Sequence, residues 1–121
     1  MILIVEDDEF IREHVVLMIR SWGYGTLDAD DVASGMAHLR GPQVIDALVT
    51  DVRLKLAALG GYDLAHAALM LRPAIKVLIA SGSPINGPAV HLHVPGARHI
   101  RKPFTPQDLR GTIQLMLAPQ P

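Results

Sequence analysis

Asp51 ends the apolar run Val44-Ile45-Asp46-Ala47-Leu48-Val49-Thr50-Asp51, so a strand that reads as buried delivers a bare carboxylate. A second apolar run, Ile2-Leu3-Ile4-Val5, ends in Glu6-Asp7-Asp8. A third, Ile75 to Ala80, ends in Ser81-Gly82, and a short segment around His99-Ile100 runs into Lys102-Pro103-Phe104. Acids, a hydroxyl and a lysine at strand ends suit a hard divalent cation and a phosphoryl group. Mg²⁺ takes oxygen ligands in octahedral geometry and keeps several waters, so a few carboxylates suffice. A carboxylate attacks a negatively charged phosphoryl donor poorly. A cation and a lysine offset that repulsion in a loose transition state.

The elements that must bring these residues together follow from periodicity. Ile2–Val5 is apolar throughout, as a strand covered on both faces requires. Asp8 is placed to cap a helix whose Ile11, Val15, Met18 and Trp22 recur on one face, with Gly23 as its stop. Tyr24 to Ala29 reads as a weak strand. Asp30 or Asp31 opens a second helix, with Val32, Met36 and Leu39 on one face and Gly41-Pro42 closing it. The third strand is Ala47 to Thr50, with Val44 as an earlier possible start. Gly60-Gly61 reads as loop punctuation, and Leu64, Ala68 and Leu71 mark a third helix that Pro73 stops. Lys76 to Ala80 is the fourth strand.

Residues 83–96 hold Pro84, Pro88, Pro95, Gly87 and Gly96, so the expected element is an irregular fourth helix, at most one turn over 89–93. A fifth strand is expected near Ala97–Ile100. Thr105, Pro106 and Asp108 then start a last helix, with Leu109, Ile113, Met116 and Leu117 on its buried face. This alternation implies a parallel α/β sheet with right-handed crossovers. In such sheets the carboxyl ends of the strands share one crevice.

Composition narrows the function. The chain has 121 residues, half of them hydrophobic, which suits one domain with one core. Its net charge of −1 argues against a nucleic-acid-binding chain. With no cysteine, disulfides, thiolate metal sites and thiol catalysis are excluded. No apolar stretch approaches the length of a membrane span, and the start has no signal-peptide pattern. A cytoplasmic location is expected by default. His91 and His93 lack a carboxylate or cysteine at ligand spacing and read as surface or partner-contact residues.

Taken together, Glu6-Asp7, Asp51, Ser81 and Lys102-Pro103-Phe104, in that order and spacing, resemble the receiver domain of bacterial two-component response regulators. The resemblance covers Ile2 to about Leu117, and residues 1–121 are read as one receiver domain. It implies a flavodoxin-like doubly wound five-stranded sheet of order 2-1-3-4-5, with helices on both faces. Asp51 then matches the phosphoacceptor. Asp7 matches a direct Mg²⁺ ligand and Glu6 its companion, with Asp51 and the backbone carbonyl of Arg53 completing the protein's share. Ser81 matches the hydroxyl that turns to the phosphoryl group, and Lys102 the lysine that pairs with the phosphorylated acid. A cis peptide bond before Pro103 is also implied. The phosphoryl donor would be a sensor histidine kinase or a histidine phosphotransfer protein, and the output a downstream protein target. No output domain is read after the last helix, so DNA binding is not expected; nor, without a membrane-length apolar stretch, is membrane attachment. Nor is an enzyme with turnover of a small molecule.

Three departures stand out. The family usually has a proline four residues after the acceptor, where this chain has Lys55. The glycine that starts the third helix comes about two residues late, at Gly61. His99 stands where a tyrosine or phenylalanine usually serves as a switch. Two other readings compete. One is a degenerate receiver that binds partners without phosphorylation. The other is a small Mg²⁺-dependent phosphatase with an aspartate nucleophile, which Arg53 disfavours by standing where a second aspartate is usual.

Overall fold

The computed structural model describes residues 1–55, 57, 60–82 and 94–119. Their elements run β1 (Ile2–Val5), α1 (Glu9–Ser21), β2 (Thr26–Ala29), α2 (Val32–Arg40), β3 (Ala47–Asp51), α3 (Gly60–Leu71), β4 (Lys76–Ser81), β5 (Arg98–Arg101) and α4 (Pro106–Leu117). All strand pairs are parallel, in the order β2-β1-β3-β4-β5. That is the sheet expected from the resemblance. The expected irregular fourth helix, the turn over 89–93, and His91 and His93 lie outside the described residues.

Strand alternation divides the core into two layers. Leu3, Val5, Leu48, Val77 and Ile79 pack with Leu39 of α2 and Leu64, Ala65 and Ala68 of α3. Ile2, Ile4, Ala47, Val49 and Leu78 pack with Val15, Val16 and Ile19 of α1 and Leu109, Ile113 and Met116 of α4. Helices on both faces explain why β1, β3 and β4 are apolar without alternation.

Helix starts agree with the sequence. The Asp8 side chain accepts from Ile11 N–H, and that of Asp31 from Ser34 N–H. Thr105 and Asp108 form a reciprocal capping box with Pro106 in the first turn. Helix faces agree less well. In α1, Ile11 is exposed, Val15, Val16 and Ile19 are the buried residues, and Met18 and Trp22 are only partly covered. The stripe is rotated because Arg12, one residue on, turns in and bonds to Glu6 O and Asp28. Leu71 of α3 is also exposed. Val44 is exposed and outside β3, and β2 starts at Thr26 rather than Tyr24.

Gly60-Gly61 is no loop marker; both glycines lie in the first turn of α3 and are buried. A Cβ on Gly61 would overlap the backbone oxygen of Asp51. Gly61 N–H also donates to Val52 O at 2.8 Å. Close approach of α3 to the end of β3 therefore requires glycine here, and the approach fixes the backbone that carries Asp51.

Candidate phosphoryl and cation site

β1 and β3 are direct neighbours, with Val5 opposite Thr50. The residues that follow, Glu6, Asp7 and Asp51, therefore emerge side by side. One carboxylate oxygen from each lies within 4.8 Å of the others. Glu6 is buried, whereas Asp7 and Asp51 are half-buried and open to solvent on one side. Both oxygens of Asp51 are oriented. Oδ1 accepts from Val52 N–H at 2.9 Å, and Oδ2 faces Lys102 Nζ at 3.1 Å.

Lys102 reaches the cluster from the end of β5. Its backbone N–H donates to Ser81 O at 2.8 Å, continuing the β4–β5 ladder, and the Lys102–Pro103 bond is cis. Its ammonium lies between two carboxylates, 3.3 Å from Glu6 Oε2 and 3.1 Å from Asp51 Oδ2. Burial alone would lower the Lys102 ammonium. The charges of Asp51 and Glu6, with hydrogen bonds to both, outweigh that and hold it above its ordinary value. Burial pushes Glu6 up, and the Asp51 charge adds to this, against the opposing pull of Lys102 and of Asp8 N–H. The cluster is thus short of positive charge. Three carboxylates face one ammonium, in a cleft where like charges interact strongly. Hard oxygen donors with an excess of negative charge fit a Mg²⁺ site.

Ser81 ends β4, one residue past Ala80, the register partner of Asp51. It is therefore on the same rim. Arg53 lies two residues beyond Asp51 and is exposed. His99 sits within β5 opposite Ile79 and is half-buried, its ring 6.3 Å from that of Tyr62. It is thus inside the fold beside α3, while Lys102 is at the rim.

Two residues join the site without having been singled out for it by the sequence. Arg12 donates to Glu6 O at 2.9 Å and pairs with Asp28 at 3.2 Å, bracing the end of β1 against β2. Lys55 donates its backbone N–H to Asp7 Oδ2 at 2.9 Å. Its side chain pairs with Asp30 at 2.8 Å. Neither Lys55 contact has a short-range signature, since Asp7 lies 48 residues away and Asp30 25.

Comparison with known proteins agrees with this geometry. The response regulator receiver domain family model matches residues 2–114. A response regulator receiver protein from Sinorhizobium medicae superposes with a TM-score of 0.86 at 22% identity, covering 96% of this chain and 92% of that one. At that identity the likeness speaks for the fold. A receiver domain protein from Clostridium thermocellum gives 0.82 at 26% identity, covering 96% and 92%. NtrX from Brucella abortus gives 0.83 at 27%, where 96% of this chain matches 26% of that larger protein. No curated protein sequence matches the chain.

Proposed function

The chain belongs to the response regulator receiver domain family of two-component systems, and from that premise we propose that Asp51 is its phosphoacceptor and that phosphorylation switches a protein-binding surface. The observation that carries the reading is Asp51 itself: a half-buried carboxylate at a strand end, in reach of both an acid cluster and the Lys102 ammonium.

In this reading Asp51 attacks the phosphorus of a phosphohistidine on a histidine kinase or phosphotransfer protein. A new P–O bond forms at Asp51, the P–N bond breaks, and the histidine nitrogen leaves with its electron pair. Val52 N–H and Lys102 orient the two oxygens of the nucleophile before the reaction. Asp7 and Asp51, backed by Glu6 and the carbonyl of Arg53, would hold Mg²⁺, which when bound neutralises charge between the acceptor and the incoming group. Lys102 remains against the phosphorylated side chain. Ser81, on the same rim, turns its hydroxyl to a phosphoryl oxygen. His99, packed beside Tyr62, moves with the β4–β5 edge as the aromatic switch of other receivers does. The protein is then a switch that takes part in its own modification and not a turnover enzyme.

The test is incubation with a small phosphodonor, with and without Mg²⁺, read by intact mass. One phosphoryl group should appear only with Mg²⁺, and none on the Asp51→Asn variant. Equal labelling of that variant would remove Asp51 from the role.

A further inference from the structure

Lys55 has φ +53°, the one non-glycine residue with positive φ among the described residues. Left-handed backbone is disfavoured for a residue with a long side chain, and where it persists the surroundings must enforce it. Here they do. Leu54 and Ala57 exchange both backbone hydrogen bonds, Leu54 N–H to Ala57 O at 3.0 Å and Ala57 N–H to Leu54 O at 2.9 Å. That closes a tight turn with Lys55 at its first central position, where left-handed φ is the rule for hairpin turns. Leu54 is 1% exposed and pins the turn to the core. At the turn's outer edge the Lys55 ammonium pairs with Asp30 at 2.8 Å.

The product of this arrangement is one N–H aimed at one carboxylate oxygen, Lys55 N to Asp7 Oδ2 at 2.9 Å. A proline, the usual residue of other receivers at this position, has no N–H to offer.

We propose that Lys55 is a positioning residue for the cation site: its backbone N–H holds Asp7 by Oδ2 and so assigns Oδ1 to the cation. This rests on the reading of Asp7 as a cation ligand. Carboxylates that ligate metals are themselves oriented by hydrogen bonds, and loss of such a partner typically costs about 10- to 100-fold in metal affinity. The Lys55 ammonium is itself paired with Asp30 rather than with Asp7, so the backbone N–H and not the side-chain charge makes the contact to Asp7.

The experiment is calorimetric titration of Mg²⁺ into the full chain and three variants. Lys55→Pro, which lacks the donor and cannot hold the positive φ that aims it, should bind about 10-fold or more weakly. Lys55→Gly, which keeps the N–H and adopts positive φ freely, should stay within about 3-fold of the parent. Asp30→Asn, which releases only the ammonium, should fall between them. Thermal unfolding in EDTA separates these effects from a loss of fold. A second measurement uses the unaltered protein: the Lys55 amide should be protected from hydrogen exchange, and its resonance should shift on adding Mg²⁺. Equal or tighter binding by Lys55→Pro, or an unprotected Lys55 amide, overturns the proposal while leaving the cation site standing. Absence of Mg²⁺ binding by the parent protein overturns the cation site and this inference together.

Discussion

At the residue scale, the charge balance of the cleft sets the chemistry. Glu6 is buried beside Asp51, and its carboxyl is held above the ordinary value of 4.5. A carboxylate whose folded value is raised adds stability below its unfolded value. That contribution is lost as pH rises through the folded value. Ionised Glu6 therefore opposes folding at neutral pH when no cation is bound. Lys102 has the same sign of pH dependence, but across the alkaline range. Its contribution is complete below 10.5 and fades as pH climbs through its raised folded value. Without Mg²⁺, Glu6→Gln should melt at a higher temperature than the parent at pH 7, and the gap should close as pH falls below 4.5. Excess Mg²⁺ should narrow it at pH 7 by supplying the missing positive charge. A gap of the same size at all pH values would mean that Glu6 does not carry this strain.

At the element scale, the position of Asp51 depends on α3 coming within backbone contact of β3. Gly61 permits this, because a Cβ there would overlap Asp51 O. Gly61→Ala should cost about 3 kcal/mol, as overpacking against an unyielding backbone does. If Asp51 is the phosphoacceptor, as proposed above, the substitution should also slow phosphorylation by displacing that residue. Urea denaturation and phosphodonor kinetics would check both halves, and an unchanged midpoint would contradict the packing argument. The face of α1 can be tested in the same way. Ile19 is fully buried while Ile11 is 41% exposed. Ile19→Ala should cost about 2–5 kcal/mol, whereas Ile11→Ala should change stability by no more than about 0.5 kcal/mol. Similar losses at both positions would restore the helical stripe expected from spacing alone.

At the scale of the whole molecule, the five-stranded sheet connects β3, which carries Asp51, to β5 at its edge through β4. Asp51 pairs with Ala80 across β3–β4, and Ser81 with Arg101 across β4–β5. Two register steps therefore separate Asp51 from β5. Switching requires a partner with different contacts in the two states. A coupling typical of such switches, about 1–3 kcal/mol, would change partner affinity about 5- to 150-fold on phosphorylation. Ser81→Ala and His99→Ala should each reduce that ratio while Asp51 still accepts the phosphoryl group. Partner capture with phosphorylated and unphosphorylated protein would measure it. Equal capture of all partners in both states would favour a receiver that acts without phosphorylation.

Local residue chemistry determined a good deal of this protein. Unbroken apolar runs mark β1, β3 and β4, and Asp8, Asp31 and Thr105 mark helix starts. These are short-range signals, because caps and periodicity act within a few residues. The acids, serine and lysine at the strand ends were legible for the same reason. Once the strands lie parallel and in order, their ends must meet on one rim. Three features were decided only by tertiary structure. The α1 stripe rotated because Arg12 found acceptors on β1 and β2. The resemblance already placed Gly61 at the start of the third helix, but its backbone-close approach to Asp51 is a contact no local pattern records. Lys55 met Asp7 across 48 residues of chain. Its role arises from a backbone N–H, a group every residue but proline carries, so only the folded turn could show which one is aimed at the site.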